Sequence, residues 1–124
     1  MNPDDLRRNT DNLNAALGVA EQVLITQDWG VAARIPVHAN SRTGALVVDL
    51  WFCRRGSTWG LFVRTDPGAD LEALQSTSRA VRIACAHALP QLRSALQQAV
   101  VAENEDVIAA TAAVVATIND FETA

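Results

Sequence analysis

Apolar positions change their spacing twice along this chain. Between residues 3 and 27, Leu6, Leu13, Leu17, Ala20 and Leu24 recur at three, four or seven positions, marking one apolar stripe on an α-helix. Asn2 is placed to cap that helix. Pro3 suits its first position, where a missing N–H costs nothing, and Asp4 and Asp5 sit where the helix dipole favours negative charge. The spacing predicts a helix over residues 3–27, closed near Trp29 and Gly30.

From residue 31 to residue 65 the period falls to two, and β-branched and aromatic residues concentrate. Three runs, 31–38, 45–55 and 58–65, are separated by Asn40-Ser41-Arg42-Thr43-Gly44 and by Gly56-Ser57. A Gly-Ser pair between alternating runs signals a two-residue hairpin with glycine at the first central position of a type II′ turn. The segment therefore predicts a three-stranded antiparallel meander.

After Asp66-Pro67-Gly68 the helical period returns. Leu71, Leu74, Ser78, Val81, Cys85 and Leu89 form a stripe, with Asp70 as its expected cap. Pro90 removes a backbone donor and is expected to end or kink this helix. Leu92, Leu96, Ala99 and Val100 continue apolar spacing beyond it, Glu103-Asn104-Glu105-Asp106 interrupts, and Val107, Val114, Ile118 and Phe121 resume. One long helix or two fit residues 90–121 equally well. The fold class expected is α+β: an N-terminal helix, a three-stranded antiparallel β-meander, and two or three C-terminal helices packed on one sheet face. It spans residues 1–124 as one domain.

Strand register turns this pattern into surfaces, because side chains alternate between faces. A Gly56-Ser57 turn pairs Arg55 with Thr58, so opposed residue numbers sum to 113. Matching apolar faces in the first hairpin needs an odd sum, and a four-residue loop, residues 40–43, gives 83. One face then collects Val31, Ala33, Ile35, Val37, Leu46, Val48, Leu50, Phe52, Trp59, Leu61 and Val63, and is expected to lie under the helices. The reverse face places Arg34, Asp49 and Arg64 in one row and Ala32, Trp51 and Phe62 in the next, with Val47 and His38 completing the surface. Arginine and aromatic residues are what the centres of protein interfaces are enriched in. The alternatives are a face covered by the chain's own C-terminal helix, whose ion pairs merely register the sheet, or one that meets a ligand or nucleic acid.

Composition narrows the partners. Of 124 residues, 49% are hydrophobic and 19% charged, which excludes disorder, and the net charge is −4. All ten basic residues are arginine, so every lysine-dependent mechanism is excluded. The charge is uneven: residues 1–28 hold two arginines against five acids, residues 29–93 eight against four, and residues 94–124 none against five. A basic middle thus lies between acidic ends. Arg54 and Arg55, expected at a hairpin tip, and Arg79 and Arg82, spaced i and i+3 on a helix, are the candidates for binding an anion or a single-stranded nucleic acid. The overall acidity and the lack of the glycine-aromatic signature of the common RNA-binding sheet weigh against that use.

Motifs for catalysis are missing. HExxH, CxxC, GxSxG and GxGxxG do not occur, and no cofactor or metal is implied. In the 83 register His38 pairs with Ala45 and Cys53 lies opposite Gly30, about 27 Å apart, too far for a nucleophile–base pair. His87 and Cys85, two apart on a helix, point in different directions. Cys53 and Cys85 are expected as free thiols. The acidic start, with no basic-then-apolar leader pattern, and the lack of an apolar run of membrane-spanning length, predict a cytoplasmic protein without a membrane partner. The function expected is a non-enzymatic interaction or adaptor module, homodimeric or bound to another protein. Its contact residues are Arg34, Asp49, Trp51, Phe62 and Arg64. By size and charge alone it compares with secretion chaperones that hold a partner chain.

Overall fold

A computed structural model describes residues 1–41 and 44–123. Helix α1, Pro3–Thr26, opens with a reciprocal capping box. The Asn2 side chain accepts from the Asp4 and Asp5 amides, and the Asp5 carboxylate accepts from the Asn2 amide. Gln27 caps its end. The first helix thus lies where its stripe placed it.

Strands β1 (Ala33–Ser41), β2 (Gly44–Arg55) and β3 (Thr58–Arg64) form the antiparallel meander, and a two-residue strand, β4 (Glu72–Ala73), extends the sheet in the order β1-β2-β3-β4. Among the described residues the strand count is therefore four rather than three. Gly56 has φ +64°, while Ser57 is not among the residues with positive φ, which is the type II′ combination. The β2–β3 register follows: Arg55 pairs with Thr58 and Asp49 with Arg64.

The first hairpin corrects the expected register. Ala33 pairs with Phe52 and Ser41 with Gly44, so opposed numbers sum to 85 instead of 83. The loop expected over residues 40–43 gives way to strand pairing through Asn40 and Ser41; its remaining positions, 42 and 43, lie outside the described residues. A slip of two keeps every side chain on its own face, so the apolar set stays together. Val37, Val48, Leu50, Phe52, Leu61 and Val63 are buried, and Phe52 stacks on Trp59 at 5.5 Å between ring centres.

The second half departs further from expectation. The helix expected from Asp70 begins only at Arg79, where Ser78 caps it and accepts from the Val81 amide. Leu71 belongs to the connection, and Leu74 is buried in a 3₁₀ turn, Leu74–Ser76, that the Gln75 side chain ties to the Asn14 carbonyl of α1. Helix α2 then runs unbroken over Arg79–Thr123, 45 residues through Pro90. One C-terminal helix replaces the expected two or three. It buries Val81, Cys85, Leu92 and Leu96 in the same core as Leu17 of α1. Both helices therefore cover one face of the sheet.

Two features at the edges matter for association. Edge strand β1 carries Pro36, which cannot donate a ladder hydrogen bond and so blunts pairing to another strand. Along β3, pairing with β4 reaches only Phe62 and Val63, and the free Leu61 amide instead donates to the Glu21 carboxylate at 2.7 Å. That charge-assisted bond pins α1 to the sheet. Glu21→Ala is expected to cost about 1–2 kcal/mol, measured by urea denaturation; an unchanged midpoint would show that α1 is held by its apolar packing and the Gln75–Asn14 bond without this contact.

The far end of α2 stands clear of the rest. Every residue from Val101 to Thr123 is exposed, a length of about 35 Å at 1.5 Å per residue. Yet this arm is apolar along one side. Val100, Val107, Val114 and Phe121 recur at seven, with Val101, Ile108 and Val115 beside them and Ile118 between, all exposed. At 100° per residue they occupy about 160° of arc, interrupted by Asn104, Thr111 and Glu122 and edged by Glu103 on one side and Asn119 on the other.

Candidate interaction surface

The sheet's outer face is built by alternation. Arg34, Pro36 and His38 on β1, Val47, Asp49, Trp51, Cys53 and Arg55 on β2, and Phe62 and Arg64 on β3 point away from the helices. Neither helix returns over them, so coverage by the chain's own C-terminal helix is ruled out. Trp51 and Phe62 are half-buried, and Val47 is exposed.

The corrected register rearranges this face and tightens it. Arg34 lies opposite Trp51, not Asp49, and the row reads Arg34, Trp51, Phe62, Ala73 across all four strands; Ala32 falls outside it. The next row is Pro36, Asp49, Arg64. The Arg34–Asp49 contact survives as a diagonal ion pair at 3.9 Å, and both side chains reach solvent. The expected row of three charges directly opposed is therefore replaced by a guanidinium-bracketed indole. Arg34 lies 5.4 Å and Arg64 5.9 Å from the Trp51 ring centre, and Arg55 lies 5.9 Å from that of Phe62. Each such contact contributes about 0.5–1 kcal/mol at an exposed site and holds a flexible cation in place over an aromatic anchor.

Donors outnumber acceptors here. Three arginines face one aspartate, and the Trp51 Nε1 and Arg64 Nε protons are buried without an acceptor among the described residues. A face of this kind is complementary to carboxylates and apolar side chains carried together.

The arginines proposed for anion binding are dispersed. Arg54 and Arg55 are adjacent on β2 and so take opposite faces; Arg54 Nε donates to the Gly56 carbonyl and Arg55 Nη1 to the Leu71 carbonyl. Arg82 donates to the Gln75 carbonyl at 3.4 Å, and Arg79 is exposed at the start of α2. Three of the four thus have backbone partners within the chain. The structure does not gather them into one cluster.

Catalytic groups are not brought together either. His38 lies opposite Val47 rather than Ala45, and Cys53 opposite Gly60, six positions along β2. They remain about 20 Å apart. His38 and His87 do line one open cleft of about 260 Å³ at the β1 edge, with Gln91, a proximity that their sequence separation gave no means of finding. Among the described residues no group of three or more metal-ligating side chains converges. Cys53 and Cys85 are free and buried. Cys53 lies on the outer face and Cys85 in the core, so the sheet stands between them. Burial raises the Cys53 thiol above its ordinary range despite the opposing charges of Arg55 and Arg64, and burial pushes the Cys85 thiol up to about 11. Neither is an activated nucleophile.

No family model, curated protein or solved structure matches the chain. No described helix is long and apolar enough to cross a membrane.

Proposed function

We propose that the protein is a non-enzymatic interaction module that associates with a second copy of itself through the outer sheet face. The observation carrying this reading is the uncovered Trp51–Phe62 pair, framed by Arg34, Arg55 and Arg64 while both helices lie on the opposite side. Aromatic and arginine side chains at the centre of a half-buried patch are the residue types that carry most binding energy in protein interfaces. Association by sheet extension is disfavoured by Pro36 on one edge and the two-residue β4 on the other, which leaves the face as the route.

The arginines and aromatics also invite comparison with single-stranded nucleic-acid platforms. A net charge of −4, an acidic arm and the internal hydrogen bonds of Arg54, Arg55 and Arg82 all speak for a protein partner instead.

Sedimentation velocity tests the reading. The wild-type chain is expected to dimerise in the micromolar range, and Trp51→Ala to raise the dissociation constant by about 30-fold, a loss of roughly 1 kcal/mol from each of the two Trp51 side chains that a symmetric dimer covers. A wild-type monomer at all accessible concentrations would remove self-association. A dimer indifferent to Trp51→Ala would remove this face.

A further inference from the structure

The arm of α2 and the outer face are two unpartnered surfaces of one chain, and they match. The arm presents an apolar stripe and carries five acidic residues with no cation beyond Arg93. Among the described residues the face presents aromatic side chains with three arginines against one aspartate. Arm length, about 35 Å, fits β2, whose 12 residues span about 40 Å. A helix about 10 Å wide covers two neighbouring strands, which would seat it over Trp51 on β2 and Phe62 on β3.

The chain cannot make this contact with itself. Helix α2 buries Val81 through Leu96 on the core side of the sheet and continues from there into the arm without a break, so the arm cannot return across the sheet to the outer face. Nor does the arm suit a copy of itself, since pairing two arms would gather ten carboxylates and no compensating cation. An isolated helix of this length is marginal in water, and its exposed β-branched residues lower its propensity further.

From this complementarity we infer that the α2 arm of a second copy lies across the outer sheet face, reciprocally, so that each protomer supplies the third layer of the other. The inference rests on the self-association proposed above and names its occupant. Each sheet then has helices on both sides, and the dimer closes with two equivalent contacts.

Ile108→Asp/Val115→Asp places charge on the stripe at two positions that are exposed in the protomer and contribute nothing to its core. In the full-length chain it is expected to raise the dissociation constant about 100-fold or more, as Trp51→Ala does to a smaller extent. Arg64→Glu is a second face variant, should Trp51→Ala prove misfolded by circular dichroism. Raising salt from 50 to 500 mM is expected to weaken the wild-type dimer, since acidic arm meets basic face. The decisive arm of the experiment mixes the Trp51→Ala chain, whose arm is intact, with the Ile108→Asp/Val115→Asp chain, whose face is intact. Native mass spectrometry is expected to show a heterodimer exceeding either homodimer, because one sound arm meets one sound face. Dissociation by face variants alone would overturn the arm as occupant and leave the face reading standing. Dissociation by the stripe variant alone, with a dimer that tightens in salt, would mean arm pairs with arm and overturn both. Failure of the mixture to form heterodimer beyond the homodimers would overturn the reciprocal arrangement while leaving self-association intact.

Discussion

Leu50→Asp is expected to unfold the protein, while the same substitution one residue along, Trp51→Asp, leaves it folded. The two side chains belong to one strand and share one backbone environment, but Leu50 is fully buried at the centre of the core and Trp51 points outward. Loss of the leucine forfeits about 2–5 kcal/mol of burial and packing, and the new carboxyl must shed its hydration with no buried donor to receive it. Together these cost about 5 kcal/mol or more, against a total stability of about 5–15 kcal/mol for a domain of this kind. At position 51 a carboxylate would stand beside Arg34 and Arg64, which can pair with it. Far-ultraviolet circular dichroism and urea denaturation of the two variants settle the matter. Comparable losses from both would mean that the outer face is structurally buried and that no open surface exists.

That contrast depends on parity alone, and parity is what the hydrophobic pattern reveals. Alternation sorts Leu50 from Asp49 and Trp51 without any structure. It is blind to a slip of two, which moves partners along the strand but keeps each side chain on its face. The second hairpin escaped this ambiguity because Gly56-Ser57 sets one turn and therefore one register. The first did not, because Asn40 through Gly44 are all turn-compatible and offer several loop lengths. The consequence falls on the interaction surface: membership of the face was legible, while the bracketing of Trp51 by Arg34 and Arg64 was not.

The start of α2 was hidden for a related reason. Leu71 and Leu74 fall on the helical period of Val81 and Cys85, yet Leu74 reaches the core from a 3₁₀ turn after a strand of two residues. A strand so short has no period to read. Asp70 and Ser78 are both competent caps, and nothing local chooses between them. The unbroken arm, in contrast, had a signal. Val100, Val107, Val114 and Phe121 keep one heptad phase across the Glu103–Asp106 run, and two separate helices would have no reason to share it. Polarity suggested an interruption where phase showed continuity.

Pro90→Ala is expected to stabilise the protein by about 1–3 kcal/mol, raising the melting temperature by several degrees. Proline inside a helix forfeits the amide bond to the carbonyl four residues back, here Ala86, and crowds that carbonyl. A penalty of about 3 kcal/mol would end a helix with nothing to gain beyond it. Here the turns that follow carry Leu92 and Leu96, both fully buried. At about 1.5–3 kcal/mol for each such side chain, their burial equals or exceeds the penalty, so the helix continues. Pro90 itself is exposed, which keeps its ring out of the core. Alanine restores the missing donor without altering any buried group, though it gives up the proline's restraint on the unfolded chain, worth about 0.4–1 kcal/mol. Differential scanning calorimetry reads the difference. A variant no more stable than the wild type would mean that restoring the Ala86 bond shifts the path of α2 enough to withdraw part of the burial of Leu92 and Leu96 that holds it.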